Sequence, residues 1–82
     1  MSFYTDNPII MERYSNRSGS SGVSAYEIGN DFIAVKFSGT FRIYTYSYRR
    51  AGSAHVENMK RLAKNGSGLN SYINRHVKNL YD

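Results

Sequence analysis

Hydrophobic and polar residues alternate along residues 23–48 in the pattern of β-strands. Three runs rich in β-branched and aromatic residues span residues 23–28, 32–37 and 41–48, and short glycine-containing breaks separate them. Because successive side chains of a strand point to opposite faces, the alternation gives each run two distinct faces. Tight turns favour antiparallel pairing of neighbouring runs, so the sequence predicts a three-stranded antiparallel meander.

The hydrophobic period lengthens after Gly52, from two residues to the spacing of an α-helix. Ser53 is a suitable N-cap for the first helical segment, and Asn65 and Gly66 end it. Two apolar stripes at helical spacing follow one another here. Their members are Val56, Met59, Leu62 and Ala63 in the first segment, and Leu69, Ile73, His76 or Val77, and Leu80 in the second. The predicted fold class is therefore α+β, with the order β-β-β-α-α and both helices packed on one face of the sheet.

The run over residues 41–48 carries aromatic and basic side chains on a single face. If the strand extends to residue 50, this face holds Arg42, Tyr44, Tyr46, Tyr48 and Arg50. Unpaired bases stack on aromatic rings and guanidinium groups bind phosphates, so these residues predict a surface for single-stranded nucleic acid. The alternative is that both helices cover this same face, which would make the tyrosines half-buried core residues.

Positive charge is concentrated in the C-terminal half of the 82-residue chain. The formal net charge is +5, yet residues 1–41 contain three basic and four acidic residues, whereas residues 42–82 contain eight basic and two acidic residues. Such asymmetry favours a polyanion or an acidic protein surface as the partner. The alternative is a solvated basic face without a dedicated ligand. The basic residues predicted to converge where the third strand and the two helices meet, and to contact phosphates there, are Arg49, Arg50, Lys60, Arg61, Lys64, Arg75 and Lys78.

Length and composition exclude several functional classes. A chain of this length forms one small domain, and without cysteine it has neither a disulfide nor a thiolate that could act as a nucleophile or metal ligand. No apolar stretch has the roughly 20 residues of a membrane span, and the first residues lack the pattern of a secretory signal. We therefore expect a cytoplasmic protein that does not enter membranes.

Catalytic and metal-binding chemistry finds no support in the sequence. The two imidazoles, His55 and His76, belong to different helical segments and have no carboxylate at ligand spacing. Ser53, His55 and Glu57 lie two residues apart along a helix, and residues at that spacing do not face one another. We therefore predict no catalytic residue, no metal site and no cofactor, and a protein that is not an enzyme.

Several short motifs together resemble the KTSC domain, a small domain found at the C-terminus of some lysyl-tRNA synthetases and as stand-alone bacterial and phage proteins. The motifs are, in order, Ser20-Ser21 before Val23, Tyr26-Glu27, Val35-Lys36-Phe37-Ser38-Gly39, Tyr44-Thr45-Tyr46, Gly66-Ser67-Gly68, and Tyr72-Ile73-Asn74-Arg75-His76-Val77 followed by Tyr81. The resemblance implies a small α+β module with RNA binding as its suggested role, in the cytoplasm of a bacterium or, if phage-encoded, of its host. It assigns residues 20–82 to a KTSC-like domain and leaves residues 1–19 as an N-terminal arm and linker.

Two functions are compatible with these features. The first is a non-enzymatic module that binds RNA or single-stranded DNA through the basic C-terminal half and the tyrosine-rich strand. The second is a phage-type interaction protein that inhibits a nucleic-acid-handling complex of the host or of an anti-phage defence system. Tyrosine and arginine are also favoured at protein interfaces, so composition leaves both open. Either protein would act as a monomer or a homodimer, since an edge strand can pair with a second copy.

Overall fold

The computed structural model describes residues 11–17 and 22–82. In this part of the chain four antiparallel strands form one sheet, and helices cover one of its faces. The α+β class is confirmed, whereas the predicted count of three strands is corrected to four. In sheet order, which is also chain order, the strands are β1 (Glu12–Arg13), β2 (Val23–Ile28), β3 (Phe32–Phe37) and β4 (Ile43–Ser47). The helices are α1 (Ser53–Asn65) and α2 (Leu69–Tyr72), and α2 continues directly into a π-helical turn at Ile73–Val77.

The register of the sheet places apolar side chains of three strands on a single face. Ile33 pairs with Tyr46, and Val35 pairs with both Tyr26 and Tyr44. Directly opposed residues of antiparallel strands point to the same face, so these five side chains share one side of the sheet. Ile33, Val35 and Tyr46 are fully buried there, which identifies this side as the floor of the core.

The additional strand, β1, comes from the stretch predicted to be an N-terminal arm. Glu12 pairs with Tyr26 at the edge of the sheet. The following residue of the chain, Tyr14, is only 3% exposed, and its hydroxyl oxygen accepts a hydrogen bond from the backbone N–H of Leu69 (3.2 Å). A strand of two residues has no hydrophobic period, so the pattern along the chain does not reveal it. Residues 1–10 of the predicted arm, and residues 18–21 with the Ser20-Ser21 motif, lie outside the described residues.

The apolar stripes of the helices pack on the floor of the core, as their spacing predicts. Val56 and Met59 of α1, Leu69 of α2 and Val77 of the π-helical turn are fully buried. α1 ends where predicted, because Gly66 adopts a left-handed conformation (φ 78°) and its N–H donates to two carbonyls of the last turn. Within the described residues, neither helix has the length and apolar character that crossing a membrane requires.

Three local details differ from what the hydrophobic pattern of the sequence predicts. The N-cap of α1 is Gly52 (φ 99°) without a side-chain capping bond, and Ser53 is the first helical residue. The last five residues of the second helical segment form a π-helical turn, which buries Ile73 and Val77 at the same spacing as an α-helix would. β4 begins only at Ile43, since the Thr40 hydroxyl accepts the Arg42 N–H (3.1 Å) in a local turn that competes with strand pairing.

Candidate functional site

The three predicted tyrosines of β4 do not form one exposed surface. Tyr46 is 1% exposed beneath the helices, Tyr44 is half-buried, and Tyr48 follows the strand and is 37% exposed. Burial, with smaller contributions from Tyr44 and Tyr81, raises the pKa of Tyr46 to about 12. The helices therefore cover the tyrosine face, which was the alternative reading of the sequence, and the rings have three different environments.

Tyr44 belongs to an open groove of about 300 Å³ between the start of β4 and the π-helical turn, here called the aromatic groove. Its aromatic walls are Phe37, Tyr44 and Tyr81. The rings of Phe37 and Tyr44 meet edge to face with centroids 5.5 Å apart, and those of Tyr44 and Tyr81 do so at 4.9 Å. Buried Tyr46 forms part of the lining, and its ring centroid lies 6.4 Å from that of Tyr81. The groove thus presents aromatic surface on a framework fixed by the sheet.

The C-terminal residues fix Tyr81 in this groove. The backbone N–H of Asp82 donates to the Thr45 carbonyl (2.7 Å), and the Ser47 hydroxyl donates to the Asp82 carboxylate (2.9 Å). The last residues therefore lie along the free edge of β4. Tyr81 consequently stands beside Tyr44, a residue 37 positions earlier in the chain.

Two predicted basic residues lie at the aromatic groove. The guanidinium carbon of Arg42 is 4.9 Å from the ring centroid of Tyr44 and 6.0 Å from that of Tyr81. Lys78 lines the groove from the helical side, together with the amides of Asn74 and Asn79. Arginine over tyrosine is a cation–π contact, and amides both donate and accept hydrogen bonds. The arrangement can therefore hold a flat polar ring that carries a negative charge next to it.

The opposite end of β4 holds a second tyrosine and a second lysine, here called the Tyr48 cluster. The Tyr48 hydroxyl donates a hydrogen bond to a carboxylate oxygen of Glu57, and Lys60 Nζ lies 2.9 Å from the same oxygen. Lys60 also donates to the carbonyl of Asn30 (2.9 Å) and lies 5.5 Å from the Tyr48 ring centroid. The hydrogen bond from Tyr48, followed by that from Lys60, lowers the pKa of Glu57, and the same bond to Glu57 raises the pKa of Tyr48.

The seven basic residues predicted to converge lie in separate places. Lys78 borders the aromatic groove, whereas Lys60 belongs to the Tyr48 cluster at the other end of β4. Arg49 and Arg50 are exposed in the turn after β4, and Lys64 lines a separate pocket near β1 together with Glu12 and Glu27. The remaining two are Arg61, whose guanidinium donates to the side-chain oxygen of Asn58 (2.8 Å), and Arg75, which is exposed on the π-helical turn.

Few of these charges have a carboxylate partner in the described part of the protein. Among the described residues, which include all eleven lysines and arginines, Lys60 is the one basic residue with a carboxylate within 4.0 Å. The other ten have no such partner there.

Between α1 and the second helical segment lies a group of polar side chains, here called the inter-helix cluster. His55 Nδ1 is 2.7 Å from the Tyr72 hydroxyl, which also accepts a hydrogen bond from the Asn58 amide (3.2 Å). The rings of His55 and His76 stack with centroids 5.5 Å apart. Arg61 is the fifth member, through its bond to Asn58. Within the described residues, no group of three or more His, Asp or Glu side chains could hold a metal ion.

Sequence reasoning missed several of these residues. Phe37, Asn74, Asn79 and Tyr81 complete the aromatic groove, and the two histidines meet although they lie on different helices. A signal for Phe37 exists, since it alternates with Val35 in β3, and Val35 pairs with Tyr44 of β4. No comparable signal exists for Tyr81, because its position depends on the path of the chain after the last helical turn.

Comparison with protein-family models, curated proteins and solved structures finds no match to this chain. The resemblance to the KTSC domain accordingly stays a prediction from the residues that carry it.

Proposed function

We propose that this protein is a non-enzymatic module that binds single-stranded nucleic acid, RNA or DNA, with an unpaired base in the aromatic groove. The observation that carries the proposal is the pairing of open aromatic walls with Arg42 and Lys78, neither of which has a carboxylate partner among the described residues. Bases stack on tyrosine irrespective of their sequence, and basic side chains beside the rings meet the phosphates.

The size of the aromatic groove supports an unpaired ligand. A volume of about 300 Å³ accommodates a single ring system with its substituents and is at the lower end of ligand pockets. A base inside a duplex has its faces covered by its neighbours and its pairing edge occupied, so it cannot enter such a groove. Asn74 and Asn79 would then offer hydrogen bonds to the exposed edge of the base.

The experiment is a titration of labelled single-stranded RNA, single-stranded DNA and duplex DNA with the protein, followed by fluorescence anisotropy at about 50 and 200 mM salt. We expect the two single strands to bind more tightly than the duplex. We also expect affinity to fall strongly with salt, because basic residues release counterions from the phosphates.

Two matched variants test the position of the site. Tyr81→Leu keeps apolar bulk in the aromatic groove but removes a stacking surface, and it should weaken binding by roughly 5- to 100-fold. Tyr48→Leu makes the same change in the Tyr48 cluster and should leave affinity nearly unchanged. Equal losses in the two variants would place the site elsewhere, and absence of binding to all three nucleic acids at low salt would refute the proposal.

A protein partner is the second candidate function, and the outer face of the sheet favours it. Phe41 is 94% exposed and Ile43 38% exposed, and none of the helices in the described residues packs over these two side chains. An exposed aromatic residue beside a β-branched one and next to Lys36 is typical of protein contact surfaces. If the nucleic-acid titrations fail, the next measurement is a pull-down that compares the parent protein with a Phe41→Ser variant. A protein that the parent captures and the variant does not would support this second function.

A further inference from the structure

The inter-helix cluster contains hydrogen-bond donors that no group in the described part of the protein accepts. The Tyr72 hydroxyl accepts a hydrogen bond from the Asn58 amide and pairs with Nδ1 of His55, whereas Nε2 of His55 makes no hydrogen bond within the described residues. Arg61 uses one of its nitrogens for Asn58, and the ring nitrogens of His76 make no hydrogen bond within the described residues.

The charges around this cluster are of one sign. Arg61 on α1 and Arg75 beside His76 on the π-helical turn are both exposed and lack carboxylate partners in the described residues. The one acidic residue of α1, Glu57, is already bound by Tyr48 and Lys60. α1 and the second helical segment are the two elements that form the cluster. An anion is therefore the ligand that this set of donors fits.

The cluster and the aromatic groove lie on two sides of the same π-helical turn. Asn74 lines the groove, His76 packs against Tyr72 and His55, and exposed Arg75 lies between them in the chain. A helix with its side chains is about 10–12 Å across, which a few nucleotides of single strand can span. A strand that spans this distance would bring one of its phosphates to Arg75.

We infer that a bound single strand leaves the aromatic groove, crosses the π-helical turn at Arg75 and places a second phosphate against His55, Arg61 and His76. The inference rests on the proposed function and extends it, since it assigns a path and a minimum length to the ligand. The recognised chemistry is the phosphodiester, which RNA and DNA share.

The experiment measures the affinities of unphosphorylated uridine dinucleotide and hexanucleotide by isothermal titration calorimetry at about 50 mM salt. The dinucleotide reaches the groove alone, whereas the hexanucleotide reaches both places. The hexanucleotide should therefore bind about tenfold more tightly, as one added charge-assisted hydrogen bond provides. Thymidine oligonucleotides of the same two lengths should show the same gain, because the contact is to phosphate and not to the 2′-hydroxyl.

Two double variants localise the effect. Arg61→Gln with His76→Gln removes a charge and a ring at exposed positions of the cluster, and it should abolish the gain of the hexanucleotide while leaving dinucleotide binding intact. Arg49→Gln with Arg50→Gln removes two charges elsewhere and should keep the gain. A gain that survives the changes in the cluster, or that the changes at Arg49 and Arg50 abolish equally, would overturn the path while leaving the groove site standing. Failure of both uridine oligonucleotides to bind would instead refute the proposed function and the path together.

Discussion

The two ends of β4 carry similar side chains but differ in how those side chains are partnered. At one end, Tyr48 and Lys60 both bind Glu57, and Lys60 also donates to a backbone carbonyl. At the other end, Arg42 lies over Tyr44, and no carboxylate neutralises it in the described part of the chain. The Tyr48 cluster therefore pairs its basic group with a carboxylate, whereas Arg42 and Lys78 at the aromatic groove have no such partner among the described residues.

This difference explains why the content of tyrosine and basic residues alone does not locate the candidate site. A tyrosine next to a basic residue is a stacking surface only when the ring is accessible and the charge is unpaired. At the Tyr48 cluster the charge is paired, because the Glu57 carboxylate accepts hydrogen bonds from both Tyr48 and Lys60.

The largest expected effect is the loss of stability in a Tyr46→Ala variant. Tyr46 is fully buried at the middle of β4, beneath the helices and between the two ends. Removing an aromatic side chain from a core costs about 3–5 kcal/mol of unfolding free energy, which urea denaturation measures. The matched variant Tyr48→Ala should lose far less, because Tyr48 is partly exposed. Similar losses for both residues would contradict the different burial of the two rings.

The next effect in size is on nucleic-acid binding, from charge reversal at each end of β4. Arg42→Glu with Lys78→Glu changes the groove, and Arg49→Glu with Arg50→Glu makes the same net change in the turn that precedes α1. We expect the groove pair to lower affinity at least tenfold and to reduce the salt slope by about two, one for each phosphate contact. The turn pair should have the smaller effect in anisotropy titrations. A reversed order would move the site to Arg49 and Arg50.

Much of the fold follows from the sequence, because strand and helix periods are long enough to recognise in β2, β3, β4 and α1. The pattern does not reveal β1, since its two residues contribute backbone pairing and no period. It also does not distinguish the π-helical turn, because Ile73 and Val77 are spaced as on an α-helix. Local competition from the Thr40 hydroxyl, which shortens β4, is equally invisible to a search for alternation.

The candidate site was predictable only in part. Arg42, Tyr44 and Lys78 follow from the charge and the tyrosine pattern, and the structure brings all three to one groove. Alternation defines two faces of β4 but cannot say which one the helices cover, so the burial of Tyr46 stayed undecided. The inter-helix contact of His55 with His76 depends on the crossing of two helices, which neither helical stripe encodes.

A smaller effect is expected in alkaline solution, where the buried Tyr46 should ionise well above the ordinary pKa of tyrosine. Its pKa is raised by burial to about 12 from the ordinary value of 10.0, so folding favours the neutral phenol. This contribution to stability is complete below pH 10 and is lost as the pH rises from 10 towards 12. Tyrosinate absorbance and circular dichroism recorded together should show a late ionisation that coincides with unfolding. Ionisation of all eight tyrosines near pH 10 in a folded protein would contradict the burial of Tyr46.

The smallest effect concerns the carboxylate that distinguishes the Tyr48 cluster from the aromatic groove. The pKa of Glu57 is lowered from 4.5 by the hydrogen bonds of Tyr48 and Lys60, so its ionised form is favoured in the folded protein. The stabilisation is complete above the unfolded pKa and is lost as the pH falls through the lower folded value. A Glu57→Gln variant should melt a few degrees lower at neutral pH and should lose less stability in acid than the parent protein. Melting curves between about pH 3 and 7 measure both effects. The control is Glu27→Gln, which removes a carboxylate that lacks an ion pair in the described residues.

If Glu57→Gln retains the acid dependence of the parent protein, the Glu57 carboxylate does not organise this end of β4. The contrast between the two ends would then rest on the exposure of their rings alone.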